Sequence, residues 1–366
     1  MTAADLPHMR SALALARRGL GVTWPNPSVG CVIVRDGRVV GRGTTAPGGR
    51  PHAEPVALAM AGEQARGATA YVTLEPCDHW GRSPPCTGAL IEAGIARVVI
   101  GAVDPDPRVD GAGIARLRAA GIDVTVGILE AEARETLAGF ATRIARGRPL
   151  VTLKLASTLD GKIATTTGES QWITGAPARR MAHALRGRHD AVMVGVGTVM
   201  ADNPDLTCRI DGFRPMPTVR VVADSHLRTP MTSRLAMTAA TVPTWFLTRD
   251  GTDPARRTGF AELGATVIPV PASDAGVDIG AALQALGEAG LTRLLVEGGG
   301  QLAAALLRAD LVDRIAWFHA PAVMGGDGWP AVQGFGITAL DHMPRFARTC
   351  ATPLGDDMLT EFRRLS

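Results

Sequence analysis

One histidine and two cysteines constrain this chain more than any other feature. His52-Ala53-Glu54 follows Pro51, and the cysteines follow prolines too, in Pro76-Cys77 and Pro84-Pro85-Cys86. One imidazole and two thiols can hold a zinc ion and leave a fourth position open for water, the pattern of a catalytic rather than a closed structural zinc. A glutamate two residues after the histidine can stand beside that water without binding the metal, as a general acid/base. Any fold of this chain must therefore bring three separated segments to one point. Eight residues lie between the cysteines, too many for both thiols to share one helical turn. Cys86 is expected in the first turn of its own helix, where the dipole favours thiolate, and Cys77 in the loop before it.

Taken singly these residues say little. His52 alone is equally a histidine at a helix start, and either cysteine alone is most simply a small buried hydrophobe. The set carries the reading: His52, Cys77 and Cys86 as zinc ligands, Glu54 as the proton carrier. Asn26, fixed in the turn Trp24-Pro25-Asn26-Pro27, is a candidate to hydrogen-bond a substrate ring, though turn formation alone would explain it. His79, between the cysteines, is either a substrate contact or a surface histidine.

Around this motif the hydrophobic pattern alternates between helix and strand. Leu6, Met9, Leu13, Ala16 and Leu20 share a helical face, and Gly19 and Gly21 end it. Val29–Val34 and Arg38–Gly43 read as strands joined by Asp36-Gly37, a hairpin signal. A helix over His52–Met60, a strand over Ala70–Leu74, a helix over Cys86–Ala93, a strand over Val98–Val103 and a helix over Ile114–Ala120 follow. Such alternation predicts α/β layers. After a helix over Leu129–Ala145, the basic, Pro/Gly-punctuated run 143–149 marks a boundary near residue 147, giving domains of 1–147 and 148–366.

The second domain, opened by a strand over Val151–Leu155, carries no zinc motif. It shows Lys154 through Ala164 with a central Asp160-Gly161, then Ser170-Gln171-Trp172-Ile173-Thr174-Gly175, Gly197-Thr198-Val199, Asp202-Asn203-Pro204 and Leu206-Thr207-Cys208-Arg209. A helix over Ala178–Arg186 and a strand over Ala191–Val196 separate these motifs. Near the end, a strand over Arg293–Val296 runs through Glu297-Gly298-Gly299-Gly300 into a helix over Gln301–Arg308. A glycine-rich turn of this kind can aim backbone N–H groups at an anion. It is not G-x-G-x-x-G, so a Rossmann dinucleotide site is not indicated. Asp211–Pro217 and Thr248–Pro271 carry no motif.

Composition excludes several classes. The 366 residues are 46% hydrophobic and 20% charged, with a formal net charge of +3 and 4% aromatics, so the chain is globular and offers neither the basic footprint nor the stacking platforms of a nucleic-acid binder. The five cysteines are an odd number, two of them in a metal-like setting, which fits a reducing compartment better than a disulfide framework. The N-terminus has no signal-peptide pattern and no apolar run is long enough to span a membrane. The expected location is cytoplasmic.

The spacing H-x-E followed by P-C…C is similar to that of the zinc deaminases that hydrolyse an amino group from a nucleobase. With the second-half motifs in this order, nearly the whole chain resembles the bifunctional riboflavin-biosynthesis enzymes, a pyrimidine deaminase fused to a uracil reductase. The resemblance rests on Asn26 to Gly30, His52-Ala53-Glu54, the stretch from Pro76 through Arg82 to Cys86, Asp104-Pro105-Asp106-Pro107 with Gly111-Ala112-Gly113, and the second-half motifs above. It implies an N-terminal cytidine-deaminase-like αβα domain and a C-terminal dihydrofolate-reductase-like α/β domain. It also implies two reactions: deamination of 2,5-diamino-6-ribosylamino-4(3H)-pyrimidinone 5′-phosphate, then NADPH-dependent reduction of the ribosyl side chain of 5-amino-6-(5-phosphoribosylamino)uracil to ribityl. By motif match, Ala156, Trp172, Thr198, Asp202, Ser225 and Gly299 would contact NADPH, and Lys154, Ser170, Arg186, Leu206, Arg209 and Glu297 the reductase substrate. Arg186 and Arg209 suit a phosphate dianion, and either Asp202 or Lys154 could assist proton transfer. The partners implied are small pyrimidine ribosyl-phosphates, with no nucleic acid and no membrane, and a homo-oligomer, dimer or tetramer, formed through the reductase domain.

The chain departs from the family pattern at two places. Thr44-Thr45 stands where many members carry a histidine before H-A-E, and Asp106 replaces an asparagine, adding a negative charge near a site expected to take a phosphate. Two rival readings are a nucleic-acid or nucleoside deaminase with an unrelated C-terminal module, and a nucleotide-binding regulator with a structural zinc. Net charge and aromatic content argue against nucleic acid as the substrate, and the three-ligand count against a structural zinc.

Overall fold

The computed structural model describes residues 5–81, 83–273 and 276–365; Arg82, quoted in the cysteine loop above, lies outside them. The chain forms two compact units, Met1–Gly147 and Arg148–Ser366.

Unit 1 runs α1 (Asp5–Arg18), β1 (Gly30–Arg35), β2 (Arg38–Thr44), α2 (Ala53–Ala61), β3 (Thr69–Leu74), α3 (Cys86–Glu92), β4 (Arg97–Ala102), α4 (Ala112–Ala119), β5 (Asp123–Val126) and α5 (Glu130–Arg146). Its five-stranded sheet has the order β2-β1-β3-β4-β5. The hairpin strands are antiparallel to each other and β1 is antiparallel to β3, whereas β3, β4 and β5 run parallel. Two glycines show how helices come to lie on both faces. A Cβ on Gly30 would stand 1.9 Å from the Ala12 carbonyl oxygen of α1, and one on Gly43 would stand 2.1 Å from the Ala53 carbonyl oxygen of α2. Gly30 pairs with Thr44 and Gly43 with Cys31. Because successive residues of a strand face opposite sides, the two helices press on opposite faces of the hairpin. The core between them is aliphatic, with Met9, Leu13, Ile33, Leu90, Ile100 and Leu117 fully buried.

Unit 2 runs β6 (Leu150–Ser157), β7 (Lys162–Ala164), α6 (Ala176–Gly187), β8 (Ala191–Gly195), α7 (Val196–Asp202), β9 (Val219–Ala223), α8 (Arg234–Met237), β10 (Thr244–Arg249), α9 (Pro254–Glu262), β11 (Thr266–Val270), the short strands β12 (Ala272–Ser273) and β13 (Gly276–Val277), α10 (Ile279–Glu288), β14 (Arg293–Val296), α11 (Gly300–Arg308), β15 (Arg314–His319), β16 (Trp329–Pro330), β17 (Phe346–Leu354) and β18 (Asp357–Arg364). Nine strands form one sheet in the order β11-β10-β9-β8-β14-β6-β15-β18-β17. It is parallel from β11 to β15 and antiparallel at the β15-β18-β17 edge. The parallel strands are near-continuous apolar runs, as strands covered on both faces must be. The α/β architecture expected for both halves is present. Among the described residues no helix is long and apolar enough to cross a membrane.

Sequence periodicity left several elements unassigned. β5 and α7 are among them, and the strand expected over Ala191–Val196 ends at Gly195, with α7 beginning at Val196. The motif-free stretch Thr248–Pro271 holds the end of β10, α9 and β11.

Candidate active sites

In unit 1, α2 and α3 aim their first turns at the loop leaving β3. His52 is the N-cap of α2, and its side chain makes no capping bond, so the ring is free to face the loop. Cys86 is the first residue of α3, and Cys77 lies in the loop before it. His52 Nδ1 stands 3.6 Å from Cys77 Sγ and 3.4 Å from Cys86 Sγ, and the three donor atoms lie within 4.8 Å of one another. Tetrahedral zinc with Zn–S of about 2.3 Å and Zn–N of about 2.0–2.1 Å requires N···S separations of about 3.6 Å. The donor set therefore fits zinc in chemistry and in spacing.

The ligand loop is fastened from outside. The Asp78 carboxylate accepts hydrogen bonds from Thr87 Oγ1 at 2.6 Å and Arg116 Nη1 at 2.7 Å. Glu75, buried just before the Pro76-Cys77 turn, accepts backbone N–H groups from Asp104, Gly111 and Ile114 at 3.2, 3.0 and 3.1 Å. One carboxylate thus ties the Cys77 loop to the loop after β4.

Glu54 is buried in the first turn of α2. Burial, reinforced by the neighbouring Cys77 charge, pushes its carboxyl up to about 7. Hydrogen bonding from Cys86, helped by His52, pulls the Cys77 thiol down to about 4 against the effect of burial, while the shared bond and burial push Cys86 up. Asn26 donates through Nδ2 to the Gly49 carbonyl at 2.8 Å and lies 3.5 Å from His52 Nε2.

His52, Glu54, Cys77, Asn26 and His79 line one cavity of about 570 Å³, joined by Arg50, Asp104, Asp106 and Arg108. The added charge of Asp106 proves to be compensated: Arg108 Nε lies 3.0 Å from both carboxylate oxygens, and this guanidinium holds Asp106 below the usual range. Beside it, burial raises Asp104 to about 6. Thr45 lines the same cavity, but its hydroxyl is taken up by Val29 N–H and the Pro27 carbonyl.

In unit 2 a cavity of about 640 Å³ is lined by Lys154, Ala156, Ser170, Trp172, Arg186, Thr198, Asp202, Leu206, Arg209, Glu297 and Gly299. These are all but one of the residues singled out in this half. The exception is Ser225, whose hydroxyl accepts from Val277 N–H at 2.9 Å. Ser225 follows β9 as Thr198 follows β8 and Gly299 follows β14, so all three lie beyond the carboxyl ends of neighbouring parallel strands. Open α/β sheets bind ligands along that edge.

The charged floor of the cavity differs from the sequence expectation. Arg186, expected to clamp a phosphate, instead grips Glu297 in a fork, Nε to Oε1 at 2.6 Å and Nη2 to Oε2 at 2.9 Å, with Nη1 on the Thr207 carbonyl at 3.1 Å. Glu297 is held down at about 2 by Arg186, against burial. Lys154 places its ammonium 5.6 Å from the Phe318 ring centroid, and burial lowers its pKa. Arg209 is exposed on the cavity wall, with Nη1 4.0 Å from Asp205 Oδ2. At the mouth, Arg179 stacks on Trp172 at 4.7 Å. Sequence reading missed His183 in this cavity. It lies one turn before Arg186 on α6, a spacing that places both on one face.

The zinc-binding region of cytidine and deoxycytidylate deaminases matches residues 3–102, and the RibD C-terminal domain matches residues 149–360. The riboflavin biosynthesis protein RibD of Aquifex aeolicus is 42% identical over 98% of this chain and 98% of its own length. Its Escherichia coli counterpart is 42% identical over 93% and 94%. Among solved structures, an Acinetobacter baumannii RibD superposes with a TM-score of 0.88 at 36% identity over 99% of both chains. A Thermotoga maritima diaminohydroxyphosphoribosylaminopyrimidine deaminase/5-amino-6-(5-phosphoribosylamino)uracil reductase does so at 0.86 and 35%, again over 99% of both.

Proposed function

The chain belongs to the RibD family, the bifunctional riboflavin-biosynthesis enzymes that join a deaminase to a reductase, and from that premise we propose how its residues divide the two reactions. Unit 1 removes the 2-amino group of the diaminopyrimidinone ribosyl-phosphate, and unit 2 reduces the ribosyl chain of the resulting aminouracil to ribityl.

In unit 1, His52, Cys77 and Cys86 hold zinc, which supplies Lewis acidity toward the attacking water. Glu54 takes a proton from that water and hands it to the departing amine. A carboxyl near 7 can accept and donate at neutral pH. Asn26, tethered to Gly49 through its amide nitrogen, keeps its carbonyl oxygen for an N–H of the ring. The observation that carries this reading is the His52–Cys77–Cys86 triangle with a buried Glu54 beside it.

In unit 2, NADPH supplies the hydride. Ala156, Trp172, Thr198, Asp202 and Gly299 line its berth, and Ser225 meets the far end of the dinucleotide along the same sheet edge. Lys154, Ser170, Leu206, Arg209 and the Arg186–Glu297 pair hold the aminouracil phosphate, with Arg209 as the phosphate cation. Lys154 is better suited than Asp202 to protonate the oxygen freed as the ribose opens. Its ammonium faces the cavity beside the Phe318 ring with its acidity raised by burial, whereas Asp202 is exposed. Self-association as a dimer or tetramer would cover the exposed side chains of Leu159, Val323, Trp329 and Leu340 in unit 2. A reducing, cytoplasmic setting suits five free cysteines, two of them zinc ligands.

Two assays test this reading. Ammonia release from the diaminopyrimidinone phosphate should require zinc and not NADPH, and NADPH oxidation should follow addition of the aminouracil phosphate. Zinc-independent ammonia release, or no oxidation with the aminouracil, would contradict it.

A further inference from the structure

Arg209 has one carboxylate partner, at the limit of ion-pair distance. That partner is Asp205, at 4.0 Å, and the arginine side chain is 62% exposed. Its closer partner is His183, whose Nε2 lies 3.4 Å from Arg209 Nη2. The other ring nitrogen, Nδ1, lies 3.1 Å from the Thr207 carbonyl oxygen and 3.3 Å from the backbone N–H of Arg209. No tautomer serves all three contacts. With the proton on Nδ1, the ring donates to Thr207 and presents the Nε2 lone pair to the guanidinium, but opposes the Arg209 backbone N–H at 3.3 Å. With the proton on Nε2, the ring serves that backbone N–H alone, so the first tautomer satisfies more of them. Burial and the adjacent Arg186 and Arg209 cations lower the pKa of His183, which keeps that lone pair available. His183 also stands between the two arginines of the cavity wall, and Arg186 is already committed to Glu297.

We propose that His183 is a positioning residue of the reductase, a neutral acceptor that holds the Arg209 guanidinium so that its remaining N–H groups face the cavity and take the substrate phosphate. The inference rests on the reading of unit 2 as the aminouracil-phosphate reductase. A flexible arginine gives up rotamer freedom when it binds an anion, and one already held gives up less. The role belongs to substrate binding, so it should appear in KM for the phosphorylated substrate and not in the chemical step.

Steady-state kinetics of the full-length chain test it, with NADPH, the aminouracil phosphate and its dephosphorylated riboside. His183→Ala should raise KM for the phosphate roughly ten-fold while kcat and the KM for NADPH stay within about two-fold. His183→Gln, which returns an amide oxygen near the Nε2 position, should recover most of that loss. With the riboside, wild type and both variants should be alike. An unchanged KM in His183→Ala, a fall in kcat at unchanged KM, or the same penalty with the riboside would overturn the inference. If His183→Ala does not fold, the near-isosteric His183→Gln decides: near-wild-type KM for the phosphate supports the proposal, and a KM raised equally for phosphate and riboside contradicts it. Should the wild type not oxidise NADPH with the aminouracil phosphate, the reductase reading itself fails, an outcome distinct from these.

Discussion

Glu54 and His189 are both buried titratable groups, and they serve opposite ends. Burial lifts Glu54 into the range where it can exchange protons with substrate and water, so removing its charge should stop deamination and little else. Glu54→Gln should lower deaminase kcat by about 10²–10⁴ while retaining zinc by metal analysis and leaving aminouracil reduction intact. Loss of zinc in that variant would mean that Glu54 is a ligand. His189 is held neutral instead, with Nδ1 2.7 Å from the Leu185 carbonyl oxygen and Nε2 3.0 Å from Thr152 Oγ1, and burial depresses it to about 3. An unfolded histidine titrates near 6.5, so between about pH 6.5 and 3 the unfolded chain holds a proton that the folded chain lacks. Stability is therefore complete above that window and falls as pH drops through it. Denaturant unfolding of unit 2 at pH 7.5 and 5.5 should show this loss, growing to a few kcal/mol at lower pH. A His189→Asn variant should show a flatter profile, and an equal slope in both proteins would contradict the assignment.

At the level of elements, the zinc site depends on how closely α2 can approach β2. Gly43 permits that approach: a Cβ there would meet the Ala53 carbonyl oxygen at 2.1 Å and the Ala57 nitrogen at 2.7 Å, both backbone atoms of the helix that starts with His52 as its cap. Gly43→Ala should displace the first turn of α2, cost about 1–3 kcal/mol of unit 1 stability, weaken zinc retention and depress deamination while reduction persists. Normal zinc content and deamination would show that the helix start tolerates the shift. This part of the molecule was legible in the sequence because its determinants are local: hairpin, cap, prolines and thiols fall between residues 30 and 86. The second site was harder to read. The Arg186–Glu297 pair joins residues 111 positions apart, so Arg186 looked like a free phosphate cation until the fold closed the fork. His183 carries no motif of its own and gains a role only beside Arg209, which arrives from beyond α7. Strand β5 and helix α7 are four and seven residues long, too short for periodicity to reveal.

At the scale of the whole molecule, two units with different chemistry share one chain, and each cavity is built from residues of its own unit. The departure at Asp106 illustrates how charge is balanced within a unit: Arg108, two residues on, cancels it, so the deaminase cavity does not gain the net negative charge that the sequence suggested. On this account unit 1 makes what unit 2 consumes. The most direct measurement is NADPH oxidation by the purified, zinc-loaded protein given the diaminopyrimidinone ribosyl-phosphate with no other deaminase present. Oxidation should occur, disappear in Glu54→Gln, and return when that variant receives the deaminated aminouracil phosphate. Oxidation by Glu54→Gln on the diamino compound would place reduction before deamination, and no oxidation by the wild type with either compound would refute the reductase.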